Sequence, residues 1–130
     1  MNIKKAVAIR LLANDELKDI VADRIYRKRL PKIQETKPPH IIIWRLPGTK
    51  RAIDHDGFAG LTETMVQISC FSHDPDEVDT MRDLVIQSME SWPAEDDKIN
   101  DAFIDDESDG FEDDTMIYHI PLDVKISYNE

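Results

Sequence analysis

LTETMVQISCFSH (residues 61–73) runs straight into DPDEVDTMRDLVIQSMESW (74–92), and the apolar period changes at the junction from two residues to about 3.6. Val66, Ile68 and Cys70 alternate with Gln67 and Ser69, the pattern of a half-buried strand. In the second stretch Val78, Met81, Val85, Met89 and Trp92 follow one another by three or four residues, with Leu84 and Ser88 beside them. Asp74 is placed to cap that helix, Pro75 to open it without wasting a donor, and Glu77 to reach back to the cap. Pro93 is read as its end. The expected nucleus is therefore a strand that delivers the chain into a helix packed back on the sheet.

Outward from this nucleus, residues 1–12 place Ile3, Ala6, Val7, Arg10 and Leu11 at helical spacing, and 16–21 add a turn or two of helix after Asn14-Asp15. RKRLPKIQETKPP (27–39) lacks a period and reads as a loop. HIIIWRL (40–46) is a strand, with Ile41 and Ile43 on one side and Ile42 and Trp44 on the other. Asp56-Gly57 and Gly60 mark a turn before the central strand. From Met116 to Tyr128 every second residue is apolar or aromatic, a long strand in which Pro121 implies an edge position or a bulge. A short strand at Ala102–Ile104 is expected before it, turning at Ser108–Gly110. The predicted class is α+β: an antiparallel sheet of about four strands, with two main helices packed on one face. The 130 residues are read as a single domain, with an acidic loop or short hairpin at about 95–114.

Charge is distributed unevenly. Residues 1–51 hold 13 Lys/Arg against 5 Asp/Glu, residues 52–94 hold 1 against 9, and residues 95–130 hold 2 against 13, which gives the net −11. A chain with a basic front and an acidic back can dock head to tail with its own copies. The lone Cys70 falls on an inward position and reads as a small buried hydrophobe. That excludes a disulfide framework and fits a reducing cytoplasm. No apolar run approaches the length of a membrane span, and the start of the chain lacks a signal-like apolar region, so a soluble protein is expected.

Motifs for chemistry are lacking. Asp105, Glu107, Asp109 and Gly110 imitate half of a calcium loop, but Met116 stands where the bidentate acid belongs. His40, His55, His73 and His119 are scattered, and Asp54-His55-Asp56 reads as a polar turn before a metal triplet. The serines have no nucleophile-elbow setting, and four glycines build no phosphate loop. Neither an enzyme, a cofactor nor a metal is expected. Arg27, Lys28 and Arg29 form a basic loop better suited to a protein partner than to nucleic acid, given the overall charge.

The order of LLANDELKDIVADRIYRKRLP, PPHIIIWRL, HDGFAGLTETMVQISCFSHDPDEVDTMRDLV and DTMIYHIPLDVKISY resembles the phage tail-completion family over nearly the whole chain. The acidic stretch 95–114 departs from the family's pattern. The resemblance implies a structural virion protein, present in the host cytoplasm during assembly. It would form a ring, a hexamer as in lambda-like terminators, at the end of the tail tube. That ring would stop tube polymerisation, meet the tube protein and a head connector or stopper protein, and pass DNA through its lumen without specific binding. A closed ring needs a head-to-tail self-interface. The candidate pairing is Arg45, Lys50 and Arg51 of one subunit with Asp54, Asp56 or Glu63 of the next. The alternatives are another neck adaptor of the same particle and, in a different class, an acidic inhibitor that mimics DNA.

Overall fold

The computed structural model describes residues 1–27, 38–48, 50–54 and 57–129, with backbone only for 50–54 and 57–60. The expected α+β class holds, with a larger sheet than four strands and one parallel pair. The order is α1 (Ile3–Leu12), α2 (Asp15–Val21), β1 (Ile25–Tyr26), β2 (His40–Arg45), β3 (Lys50–Asp54) and β4 (Gly57–Ser72). Then follow α3 (Pro75–Glu90), α4 (Trp92–Glu95), β5 (Ile99–Glu107), β6 (Gly110–Glu112) and β7 (Ile117–Asn129). Seven strands among the described residues form one sheet in the order β1-β2-β4-β7-β5, with β3 beside β4 and β6 beside β7. β1 runs parallel to β2, and every other pair is antiparallel.

Strand parity sets the core. Val66, Ile68 and Cys70 of β4, Leu122, Val124 and Ile126 of β7, and Ile41 and Ile43 of β2 are all fully buried on one sheet face. All four helices cover that face. Val7 and Leu11, Leu17 and Val21, and Met81, Val85 and Met89 join the same apolar cluster. Ser88 is buried with the α3 stripe, where α1 and the cap of α2 reach it: Arg10 Nε donates to Ser88 O at 3.0 Å and Asn14 Nδ2 to Ser88 Oγ at 3.3 Å. Arg10 also donates to Ser91 Oγ at 2.8 Å and pairs with Glu95, tying α1 to the end of α3 where carbonyls lack helical partners.

The start of α3 refines the expected capping box. Asp74 accepts from Asp76 N at 2.9 Å, whereas Glu77 reaches the cap through a hydroxyl: Ser72 Oγ accepts from Asp74 N at 3.0 Å and donates to Glu77 at 2.8 Å. Pro93 does not terminate the helical run. The chain breaks at Ser91, and Pro93 sits in the first turn of α4, where its missing donor costs nothing. Pro121 is not at an edge either, since β7 lies between β4 and β5. Pro121 O accepts from Ser108 N at 3.4 Å, so its missing N–H faces Ser108-Asp109, the gap where β5 gives way to β6.

Candidate assembly surfaces

Because β2 and β3 both pair with the edge of β4 that β7 does not occupy, they lie in line along one side of the sheet. Arg45 stands exposed at the end of β2, opposite Val66, and Lys50 and Arg51 open β3, opposite Glu63 and Thr62. Arg27, exposed just after β1, is on the same side, and its carbonyl accepts from Lys4 Nζ at 3.2 Å. Lys28, Arg29 and Asp56 lie outside the described residues, as does His55. The side chains of Lys50, Arg51 and Asp54 do too, although the backbone of Asp54 pairs with Gly57. β7 pairs with β4 only from Leu61 onward, so the segment 57–60 extends past the body of the sheet with β3 as its partner.

The structure thus brings Lys50 and Glu63 together inside one chain, as cross-strand neighbours. Glu63 is paired with Lys125, whose Nζ lies 3.2 Å from its carboxylate across the β4–β7 pair. Both are about a third exposed, so the pair is worth little by itself.

The opposite edge is acidic. There α3 and β5 enclose an open groove of about 660 Å³, floored by Ile86 and Ile104 and walled by Asp83, Glu90, Asp105 and Asp106. Arg82, its one cation among the described residues, is held by Glu107 through two hydrogen bonds of 2.8 and 2.7 Å and by Asp83 at 2.7 Å. The guanidinium keeps the Glu107 carboxyl below the usual carboxylate range, and the same contacts raise Arg82 above its ordinary value. Phe103, 38% exposed, borders the groove on the sheet side. Sequence reasoning did not assemble this groove. Its available signal was Arg82, the sole Lys/Arg among residues 52–94.

The half-matched calcium loop has no converging geometry. Asp105 and Glu107 belong to β5 and Gly110 to β6, and no cluster of three metal-binding side chains exists among the described residues. Cys70 is fully buried, and burial pushes its thiol up to about 12, which removes nucleophilic character at neutral pH. His119 and His40 serve packing: their rings stack on the two sides of Phe71, at 5.5 and 4.6 Å between centroids. Among the described residues no helix is long and apolar enough to cross a membrane.

Comparison with known proteins places this architecture. A sequence comparison with curated proteins finds no match. Among solved structures, a chain of the "Virion of native gene transfer agent (GTA) particle" superposes with a TM-score of 0.71 at 13% identity. The match covers 98% of this chain and 94% of that one, a likeness of fold. The family described as "Tail completion protein gp17" matches residues 5–129. This chain belongs to the tail completion protein gp17 family, and its role is that of a structural component of a phage-type tail.

Proposed function

We propose that the protein assembles as a homomeric ring, a hexamer, on the end of the tail tube, where it stops tube polymerisation and offers its outer surface to the head connector. The observation that carries this reading is the family match from residue 5 to residue 129. The charge distribution supports it. A ring is built from one heterologous contact repeated until it closes, so each subunit needs two different, complementary surfaces. Basic residues on the β1–β2–β3 side and carboxylates elsewhere supply such a difference. Arg45, Lys50 and Arg51 form the donor side of that contact. The net charge of −11 also disfavours adhesion to DNA in transit through the lumen.

The test is to add the purified protein to tube protein during polymerisation and to image the tubes by electron microscopy. Shortened tubes bearing a ring at one end are expected. Tubes of undiminished length with bare ends overturn the reading.

A further inference from the structure

The strand order puts Arg27 and Arg45 on one side of the sheet and the carboxylates of β5 at the other edge. β1 and β5 are its outermost strands, about 19 Å apart by four inter-strand spacings. Each edge also displays an aromatic ring. Trp44, next to Arg45 at the end of β2, is 40% exposed, and Phe103 of β5 is 38% exposed. Both extend from the sheet face that the helices leave open, since Ile41, Ile43, Ala102 and Ile104 point the other way. β1 pairs only with Ile41 and Ile42, so among the described residues Trp44 and Arg45 lie on an uncovered edge.

We propose that the groove between α3 and β5 of one copy receives the Trp44–Arg45 end of β2 from a second copy. This rests on the ring reading above and assigns its acidic half. The charges are complementary. Arg82 is already engaged by Glu107 and Asp83, so Glu90, Asp105 and Asp106 face the groove with no cation among the described residues. The incoming edge carries Arg45 and the ammonium of Lys4, which lies 5.2 Å from the Trp44 ring centroid. An aromatic anchor over an apolar floor, rimmed by paired charges, is the composition of an interface centre. Ile86 and Ile104 supply the floor, with Phe103 at its border.

Side chains make this contact, not strand addition. β5 is irregular after Ile99 and after Ile104, and the N–H groups of Ala102 and Glu107 are taken by the carboxylates of Asp101 and Asp106. Those devices block indiscriminate pairing along the edge while leaving its groove open. One such contact is small beside the roughly 1,600 Å² of a stable complex. Association in solution is therefore weak, and closure, where each subunit uses both edges at once, completes it.

Two variants test the assignment. Asp105→Lys with Asp106→Lys spoils the groove, and Trp44→Ala with Arg45→Glu spoils the edge. All four residues are exposed, and circular dichroism checks that the fold is retained. Sedimentation is followed to high protein concentration over a series of salt concentrations. The wild type is expected to self-associate, and each variant alone to lose about tenfold or more in affinity. Their mixture should give a 1:1 dimer and nothing larger, because each variant keeps the half that the other lacks. A wild type that stays monomeric throughout, a variant that associates like the wild type, or a mixture that stays monomeric overturns the proposal. Variants that still cap tail tubes as rings would remove this groove and leave the ring reading intact. Failure of the wild type itself to cap tubes would remove the ring reading.

Discussion

Gly110→Ala tests the packing logic at a single atom. Gly110 pairs with His119 across β6 and β7, and the imidazole lies flat over the space where a side chain would begin. A methyl group there would collide with Cε1 and come within 2.6 Å of Nε2 and 2.7 Å of Nδ1. The ring cannot withdraw freely, because it is stacked on Phe71, which is stacked on the buried His40. Swinging it out forfeits a stack worth about 0.5–1.5 kcal/mol, and keeping it in place incurs an overpacking cost of about 1–3 kcal/mol. A loss of about 1–2 kcal/mol follows, or roughly 4–8 °C in Tm for a chain of this size. The sign should change in a His119→Ala background. There the obstruction is gone, and alanine in a strand is favoured over glycine by up to about 1 kcal/mol. Urea unfolding of the wild type, both single variants and the double variant measures all four corners. A Gly110→Ala protein as stable as the wild type, or one equally destabilised with and without His119, refutes the reasoning.

Other expectations follow from the core and the proposed ring. Met89→Ala empties a fully buried position where α3 meets the sheet and should cost about 2–5 kcal/mol in denaturant unfolding. Cys70 should resist thiol reagents in the native state and react at once in urea. Because its folded value is raised from 9.0 to about 12, the unfolded chain ionises first, so stability should fall as pH rises through that window in a pH series of unfolding curves. Arg51→Glu places one carboxylate opposite Thr62, next to Glu63 in the β3–β4 pair, and should reduce ring formation on tubes; unaltered rings would discard its pairing with the next subunit.

Much of the fold is legible in the sequence because β2, β4, β7 and α3 each keep a clean period against one buried face. β5 is not, and its irregularities give the reason. The breaks after Ile99 and Ile104 shift parity, so its inward residues Ile99, Ala102 and Ile104 stand three and then two apart, and carboxylates fill the remainder. The eye finds Ala102–Ile104 and misses the rest of a nine-residue strand. β1 is two residues long and is recognised as a strand only through its partner Ile41–Ile42, which no local pattern announces. Pro121 points to a break correctly but cannot say that the interruption belongs to the neighbouring strands. Of the site, the basic residues and Glu63 were nameable individually. Their alignment along one side of β4 depends on β2 and β3 sharing an edge, and the α3–β5 groove depends on two segments about twenty residues apart in sequence.

The sheet's topology also converts a sequence gradient of charge into a spatial one, and this sets how salt should act on assembly. The early strands β1, β2 and β3 lie on one side of the sheet and the late strand β5 at the other edge, so Arg27 and Arg45 and the carboxylates of β5 lie on opposite sides. Two forces then compete between copies. Whole molecules of charge −11 repel at long range, while the basic edge of one attracts the acidic groove of the next only near contact. In very dilute salt the screening length is about 30 Å, longer than the sheet is wide, and repulsion governs the encounter. Near 0.1 M it falls to about 10 Å, which masks the distant charges but not pairs in contact. Near 1 M it is about 3 Å, and the contacts themselves weaken. Self-association should therefore pass through a maximum at intermediate ionic strength. A steady rise with salt would assign the interface to apolar contacts such as Trp44 and Phe103 alone. A steady fall from the most dilute buffer would mean that opposite charges dominate at every distance.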